Sequence, residues 1–172
     1  MTTDNLFSER QRFRQIWLWL LIAGVNGIFI YGMISQVYLG HTFGNRPMSN
    51  TGLVIATLTM LLIPTLFLLL RLDTAIKQDG IYYRFLPFQF AYKRISWDRI
   101  SKCFVREYNP IIEYGGWGLR IGLFGKGQAF NVSGNKGLQL IYDNGKRFLL
   151  GTQKPEEIKN VLQQLGQLTS DT

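Results

Sequence analysis

The sequence predicts a two-helix transmembrane hairpin followed by a mainly β domain, a barrel or sandwich closed by one C-terminal helix. Three observations carry this. Residues 16–40 and 51–70 contain no Asp, Glu, Lys or Arg, and 32 of their 45 residues are apolar. Beyond Leu72 the apolar residues instead alternate with period two between turn sequences, the pattern of half-buried strands. From Pro155 onward Ile158, Val161, Leu162, Leu165 and Leu168 recur at helical spacing, which makes one apolar stripe.

Residues 1–14 read as a cytoplasmic segment carrying Arg10, Arg12 and Arg14. The first span, about residues 16–39, would reach roughly 36 Å at about 1.5 Å per residue, enough for a ~30 Å hydrocarbon core. Trp17, Trp19 and Tyr38 sit at its ends, where interfacial aromatic belts form. Its apolar run is too long for a signal peptide, and no small-x-small cleavage site follows. The second span, about residues 51–70, holds Pro64, which a membrane helix tolerates better than a soluble one. The short link with Gly44, Asn45 and Pro47 makes residues 15–70 an antiparallel hairpin. Ala23, Gly24, Gly27 and Gly32 are small residues on one helix face, suited to packing within the hairpin or against a second copy. Neither span holds an ionisable residue of the kind an ion or proton path needs.

Charge sets orientation. Three arginines precede the first span, Arg46 alone lies in the link, and Arg71 and Lys77 follow the second span. The excess of Lys and Arg marks the cytoplasmic side, so both termini are expected inside a multi-pass protein of the cell (inner) membrane. The whole chain has 19 Lys and Arg against 11 Asp and Glu, a net charge of +8. Residues 72–172 hold 14 against 9, a surplus of +5 beside the membrane.

In residues 71–168 the runs Ile81–Phe85, Phe88–Tyr92 and Gly137–Tyr142 read as strands, parted by turns such as Asp79-Gly80, Asn109-Pro110 and Asp143-Asn144-Gly145. Seven or eight strands are expected. Pro155 suits the first position of the closing helix, and Glu156 and Glu157 suit its dipole. Residues 169–172 are a tail. With Ile95-Ser96-Trp97-Asp98-Arg99-Ile100, Gly115-Gly116-Trp117-Gly118-Leu119-Arg120 and Gly151-Thr152-Gln153-Lys154-Pro155-Glu156-Glu157, this order resembles small bacterial membrane proteins with a cytoplasmic pleckstrin-homology-like (PH-like) domain. The resemblance implies a bent barrel of two near-orthogonal sheets capped by the helix, and binding of lipid headgroups or of protein. The architecture is also similar to that of a photosystem assembly protein, although no residue motif carries that function across.

Chemistry-bearing residues are few. His41 is expected outside and Cys103 in a cytoplasmic strand, so they cannot form a nucleophilic pair. The single cysteine excludes an intrachain disulfide, and zinc ligands are lacking. Gly115–Gly127 does not match a phosphate loop, because Arg120 and Gly127 occupy key positions; its glycines read as turns and bulges. Trp97 and Trp117 read as core residues. Asp98, Glu107 and Glu113 lie among bases and read as solvated surface pairs. Asn131-Val132-Ser133 matches a glycosylation sequon on the wrong side of the membrane.

The expectation is a non-enzymatic module with no cofactor, metal or nucleic-acid partner. It would bind anionic lipid headgroups or a membrane-protein partner through Lys93, Arg94, Arg99, Lys126, Lys146 and Arg147. Whether these six form one patch or a scattered, solubilising surface is open from sequence. The alternative is an assembly subunit that homo-oligomerises through its hairpin.

Overall fold

The computed structural model describes residues 5–122 and 125–170 and divides into two units. One is Arg14–Leu69. The other combines the chain up to Phe13 with everything from Leu70 onward.

In the first unit, α1 (Ile16–Met33) runs on into a π-helical turn (Ile34–Tyr38), and α2 spans Asn50–Leu69 through Pro64. Both helices are long and apolar enough to cross a membrane, and most of their large side chains, such as Leu20, Ile28, Leu62 and Leu68, point outward. Ile22, Asn26 and Gly32 on α1 and Leu53 and Thr57 on α2 are buried instead. The Thr57 hydroxyl lies 3.3 Å from the Phe29 carbonyl oxygen of α1. Gln36 closes the link: its amide donates to the Met48 carbonyl at 2.7 Å and to Asn50 Oδ1 at 2.9 Å. These bonds satisfy a polar side chain at the end of an apolar helix.

The small-residue face lies beside the seam between the two helices and leaves only Gly32 in it. The seam between the helices follows Ile22, Asn26 and Phe29, one residue round the helix from Ala23 and Gly27. Ala23, Gly24 and Gly27 are therefore exposed, and a Cβ added at Gly24 or Gly27 would meet nothing within 4 Å. Gly32 alone packs closely: its added Cβ would stand 2.6 Å from the Phe43 ring.

The second unit is built from two sheets. Sheet A is antiparallel in the order β1 (Phe7–Arg12), β2 (Arg71–Lys77), β3 (Gly80–Leu86), β4 (Lys93–Ser96). Sheet B has β5 (Ile100–Glu107), β6 (Gly118–Ile121), β7 (Gln128–Asn131), β8 (Lys136–Tyr142) and β9 (Arg147–Gly151) in the order β5-β8-β9-β7-β6, with β7 and β9 parallel. The sheets are hydrogen-bonded separately, so among the described residues no barrel closes.

The N-terminal segment is not a free tail. Residues 7–12 pair with β2 from Phe7↔Ile76 to Arg12↔Arg71. Its inward slots hold Phe7, Glu9, Gln11 and Phe13, all buried. Glu9 is satisfied there by the Thr152 hydroxyl at 2.7 Å and the Gln153 N–H at 2.8 Å, and Gln11 donates to the Gly151 carbonyl at 2.6 Å. Such bonds offset the cost of burying polar groups, and here they tie sheet A to the end of β9.

The core lies between the sheets. Leu72, Ile76, Ile81 and Phe85 of sheet A and Leu138, Leu140, Leu150 and Phe148 of sheet B are buried. Tyr83 meets Phe148 at 5.0 Å and Phe130 at 5.5 Å between ring centroids, offset and edge contacts worth about 1 kcal/mol each beyond their area. The outer face of sheet B is covered as well, by the short helix α3 (Pro110–Tyr114), whose Tyr114 packs with Tyr108, Ala129 and Leu149. Asn109 caps α3 by accepting the N–H groups of Ile111 and Ile112, a strong N-terminal signal.

The closing helix α4 (Pro155–Gln164) starts at Pro155 as expected, buries Ile158 and Leu162, and rests against β5, β8 and β1. Beyond it, Thr169 exchanges backbone and hydroxyl hydrogen bonds with Cys103 at 2.7–3.0 Å. That pairing occupies the free edge of β5, an edge that would otherwise invite another strand. The run Phe88–Tyr92, expected as a strand, is a loop outside the sheet ladder, with Gln89 N–H bonded back to the Phe85 carbonyl.

Candidate functional site

Four of the six flagged cations meet in one cleft. Lys93 and Arg94 begin β4, Arg99 ends the 3-10 turn Trp97–Arg99, and Lys146 stands on the turn between β8 and β9. With Tyr83, Ile95, Tyr142, Asp143 and Asn144 they line a cleft of about 610 Å³.

Local structure explains how each is placed. The Asn144 side chain accepts the Lys146 N–H at 3.0 Å, and Gly145 adopts φ 77°, a left-handed turn geometry that glycine supplies without strain. The Asp143 N–H reaches the Arg99 carbonyl at 3.3 Å and joins this turn to the 3-10 turn. Trp97, expected in the core, is half-buried and donates its indole N–H to the Gln78 carbonyl at 3.0 Å. Trp117 acts likewise, on Gly134. Both tryptophans fasten loops.

Electrostatics separates the cleft cations. Arg94 pairs with Asp79 at 3.2 Å and donates to the Asp79 carbonyl. The Asp79 carboxyl lies below its ordinary value, first because Tyr82 hydrogen-bonds it and then through Arg94. Lys93, Arg99 and Lys146 make no ion pair among the described residues. Desolvation raises Tyr83 and pushes Tyr142 up to about 12, so at neutral pH both phenols keep their protons and can donate hydrogen bonds. Ammonium, guanidinium and hydroxyl donors around one concavity suit a phosphate-type anion.

Lys126 and Arg147 do not join this group. They line another cleft, of about 430 Å³, on the outer face of sheet B with Lys102, Phe104, Arg106, Glu107, Gln139 and Ile141. There Arg106 is bound to Glu113 at 2.8 Å, to Gln139 Oε1 at 3.0 Å and to the Tyr114 hydroxyl. Glu113 is thus not a solvated surface acid. Desolvation opposes its charge, but hydrogen bonds from Arg106 and the Asn109 N–H outweigh it and hold the carboxyl below its ordinary value. Glu107 does match the surface expectation, pairing with Lys136 at 3.6 Å while well exposed.

Other flagged residues have structural roles. Cys103 is buried, and burial pushes its thiol up to about 12. Asn131 is buried, donates to the Tyr108 hydroxyl and accepts the Gly118 N–H, so its sequon is inaccessible in the fold. In the Gly115–Gly127 stretch, Gly115, Gly116, Gly118, Gly125 and Gly127 all have positive φ, and the Gly127 backbone lies against that of Arg147, with no room for a side chain.

The residues missed from sequence are Tyr83 and Tyr142, whose rings read simply as strand aromatics. A signal existed: Tyr142 directly precedes the Asp143-Asn144-Gly145 turn beside Lys146. The chain matches no known family model and no curated protein.

Proposed function

We propose that the chain is an integral membrane protein, both termini cytoplasmic, whose β domain is a non-enzymatic binding module for anionic lipid headgroups. The observation that carries this reading is the convergence of Lys93, Arg99 and Lys146, none of them ion-paired among the described residues, beside the protonated Tyr83 and Tyr142. Cations near an anionic leaflet are each worth about 1 kcal/mol and act within a Debye length, so tethering by two spans lets a modest site be occupied.

The register of sheet A supports the topology. Arg12 pairs with Arg71, so the chain enters and leaves the apolar hairpin from neighbouring strands, and the two flanks lie on the same side. Arg12, Arg14 and Arg71 against the lone Arg46 favour the cytoplasm for that side. Two stacked sheets with a terminal helix support a PH-like ancestry, while the unclosed seam between them departs from it. A membrane-protein partner is the other ligand class compatible with the cleft.

Lipid retention tests the reading. The full chain, purified in detergent and offered equal phosphatidylglycerol and phosphatidylcholine, should carry the anionic lipid preferentially in native mass spectrometry. Added salt should erode the preference. Equal retention of both lipids would overturn it. Reporters fused after Leu168 and within the 41–49 link should give opposite signals; an external signal after Leu168 would invert the topology.

A further inference from the structure

Directly before the cleft, the loop Pro87–Tyr92 displays three aromatic side chains to solvent: Phe88 is 61% exposed, Phe90 75% and Tyr92 46%. A soluble surface seldom concentrates exposed aromatic area in so few residues without a use for it.

The loop is held firmly by its surroundings. Gln89 N–H bonds the Phe85 carbonyl at 2.8 Å, the Phe88 ring stacks on Phe85 at 6.3 Å, and Arg84 lies 4.4 Å from the Tyr92 ring while donating to the Phe90 carbonyl. Arg84 is itself fixed by Asp73 at 2.7 Å. The aromatics are therefore presented on an ordered support, with little left to order on insertion.

The strand register gives their position. Arg71 pairs with Arg12 on one side and with Leu86 on the other. The loop thus leaves sheet A at the end where the chain passes into α1 and returns from α2. α2 stops at Leu69, two residues before Arg71. Lys93 and Arg94 follow Tyr92 immediately.

We infer that Pro87–Tyr92 is a wedge that inserts Phe88 and Phe90 into the interfacial layer of the leaflet the hairpin enters. This rests on the membrane reading above. Its occupant is lipid, on two grounds: the loop shares a sheet end with both membrane connections, and cations flank it. Tyr favours the interfacial layer, where its ring is buried and its hydroxyl stays wet, and Phe buries its ring at the headgroup–acyl boundary. Lys93, which makes no ion pair among the described residues, complements anionic headgroups.

The test uses the full chain in vesicles of phosphatidylcholine and phosphatidylglycerol. Phe90→Cys, and separately Phe88→Cys, is labelled with an environment-sensitive fluorophore and challenged with a doxyl-labelled lipid. Cys103 is buried with its thiol raised to about 12 and contributes little background. Gln163→Cys, on the exposed side of α4, is the aqueous reference, and Leu58→Cys, an outward residue of α2, is the lipid reference. Blue-shifted emission and loss of signal to the doxyl lipid at 88 and 90, as at 58 and unlike 163, is the expected result. Aqueous emission at 88 and 90 with quenching at 58 would overturn the wedge and leave the membrane reading standing. Aqueous emission at 58 would overturn both.

Discussion

On the outer face of sheet A, Asp73 draws Arg10, Arg71 and Arg84 to within 3.1 Å, whereas at the β4 edge of the same domain Lys93, Arg99 and Lys146 form no ion pair among the described residues, although Asp143 lines the same cleft. Each group contains three cations. One is ion-paired around a single shared carboxylate whose side chain is 4% exposed; the other is left open around a concavity. Partnering, and not the count of basic residues, separates a structural cluster from a binding site. The first group should matter for stability and the second for ligand.

Asp73→Asn gives the largest expected effect. It removes the shared acceptor and leaves three guanidinium groups crowded together, a loss of about 3 kcal/mol by analogy with broken buried ion pairs. Thermal unfolding of the full chain in detergent should show a clear fall in Tm. An unchanged Tm would mean that the arginines are solvated and the contrast between the groups is false.

Glu113→Gln asks whether a closed group can be opened. Losing the acid beside Arg106 should cost about 1–2 kcal/mol, and should free Arg106 beside Lys126 and Arg147. Anionic lipid retention should then rise even as Tm falls; a drop in retention would contradict this. The pH dependence has a definite sign. The Glu113 carboxyl is held below its ordinary value of 4.5 in the fold, so its contribution is complete above that value and is lost as pH falls through the lower folded value. Glu113→Gln should therefore lose less stability than wild type in that acid window, measured by Tm against pH.

Gly32→Leu and Gly24→Leu divide the hairpin in the same spirit. At Gly32 the new side chain meets Phe43 and should loosen the link, read as faster proteolysis within residues 39–49. At Gly24 it meets open space and should leave the hairpin unchanged. Equal effects at both sites would show that the exposed small-residue face is packed.

Much of this architecture was readable from the residues. The two uncharged stretches became α1 with its π-helical turn and α2, Pro155 opened α4, and the Asp143-Asn144-Gly145 turn sits where its composition put it. β1 escaped notice because Glu9 and Gln11 fill inward slots that alternation assigns to apolar residues, and only their distant partners Thr152, Gln153 and Gly151 make that tolerable. Phe88–Tyr92 erred the other way: its aromatics alternate like a buried strand yet lie exposed. α3 is five residues long, too short for periodicity, although Asn109, Pro110 and Gly115 mark its ends. Local sequence identified the cleft cations; their grouping depended on bringing the β8–β9 turn beside β4, which no spacing rule encodes.

The most direct test is lipid competition on Lys93→Ala/Arg99→Ala/Lys146→Ala. All three positions are exposed and without ion pairs among the described residues, so Tm should move little, within about 0.5 kcal/mol per site. At about 1 kcal/mol per cation, the preference of the full chain for phosphatidylglycerol over phosphatidylcholine should fall by roughly two orders of magnitude. A variant that keeps both its Tm and its anionic preference would contradict the assignment of this cleft.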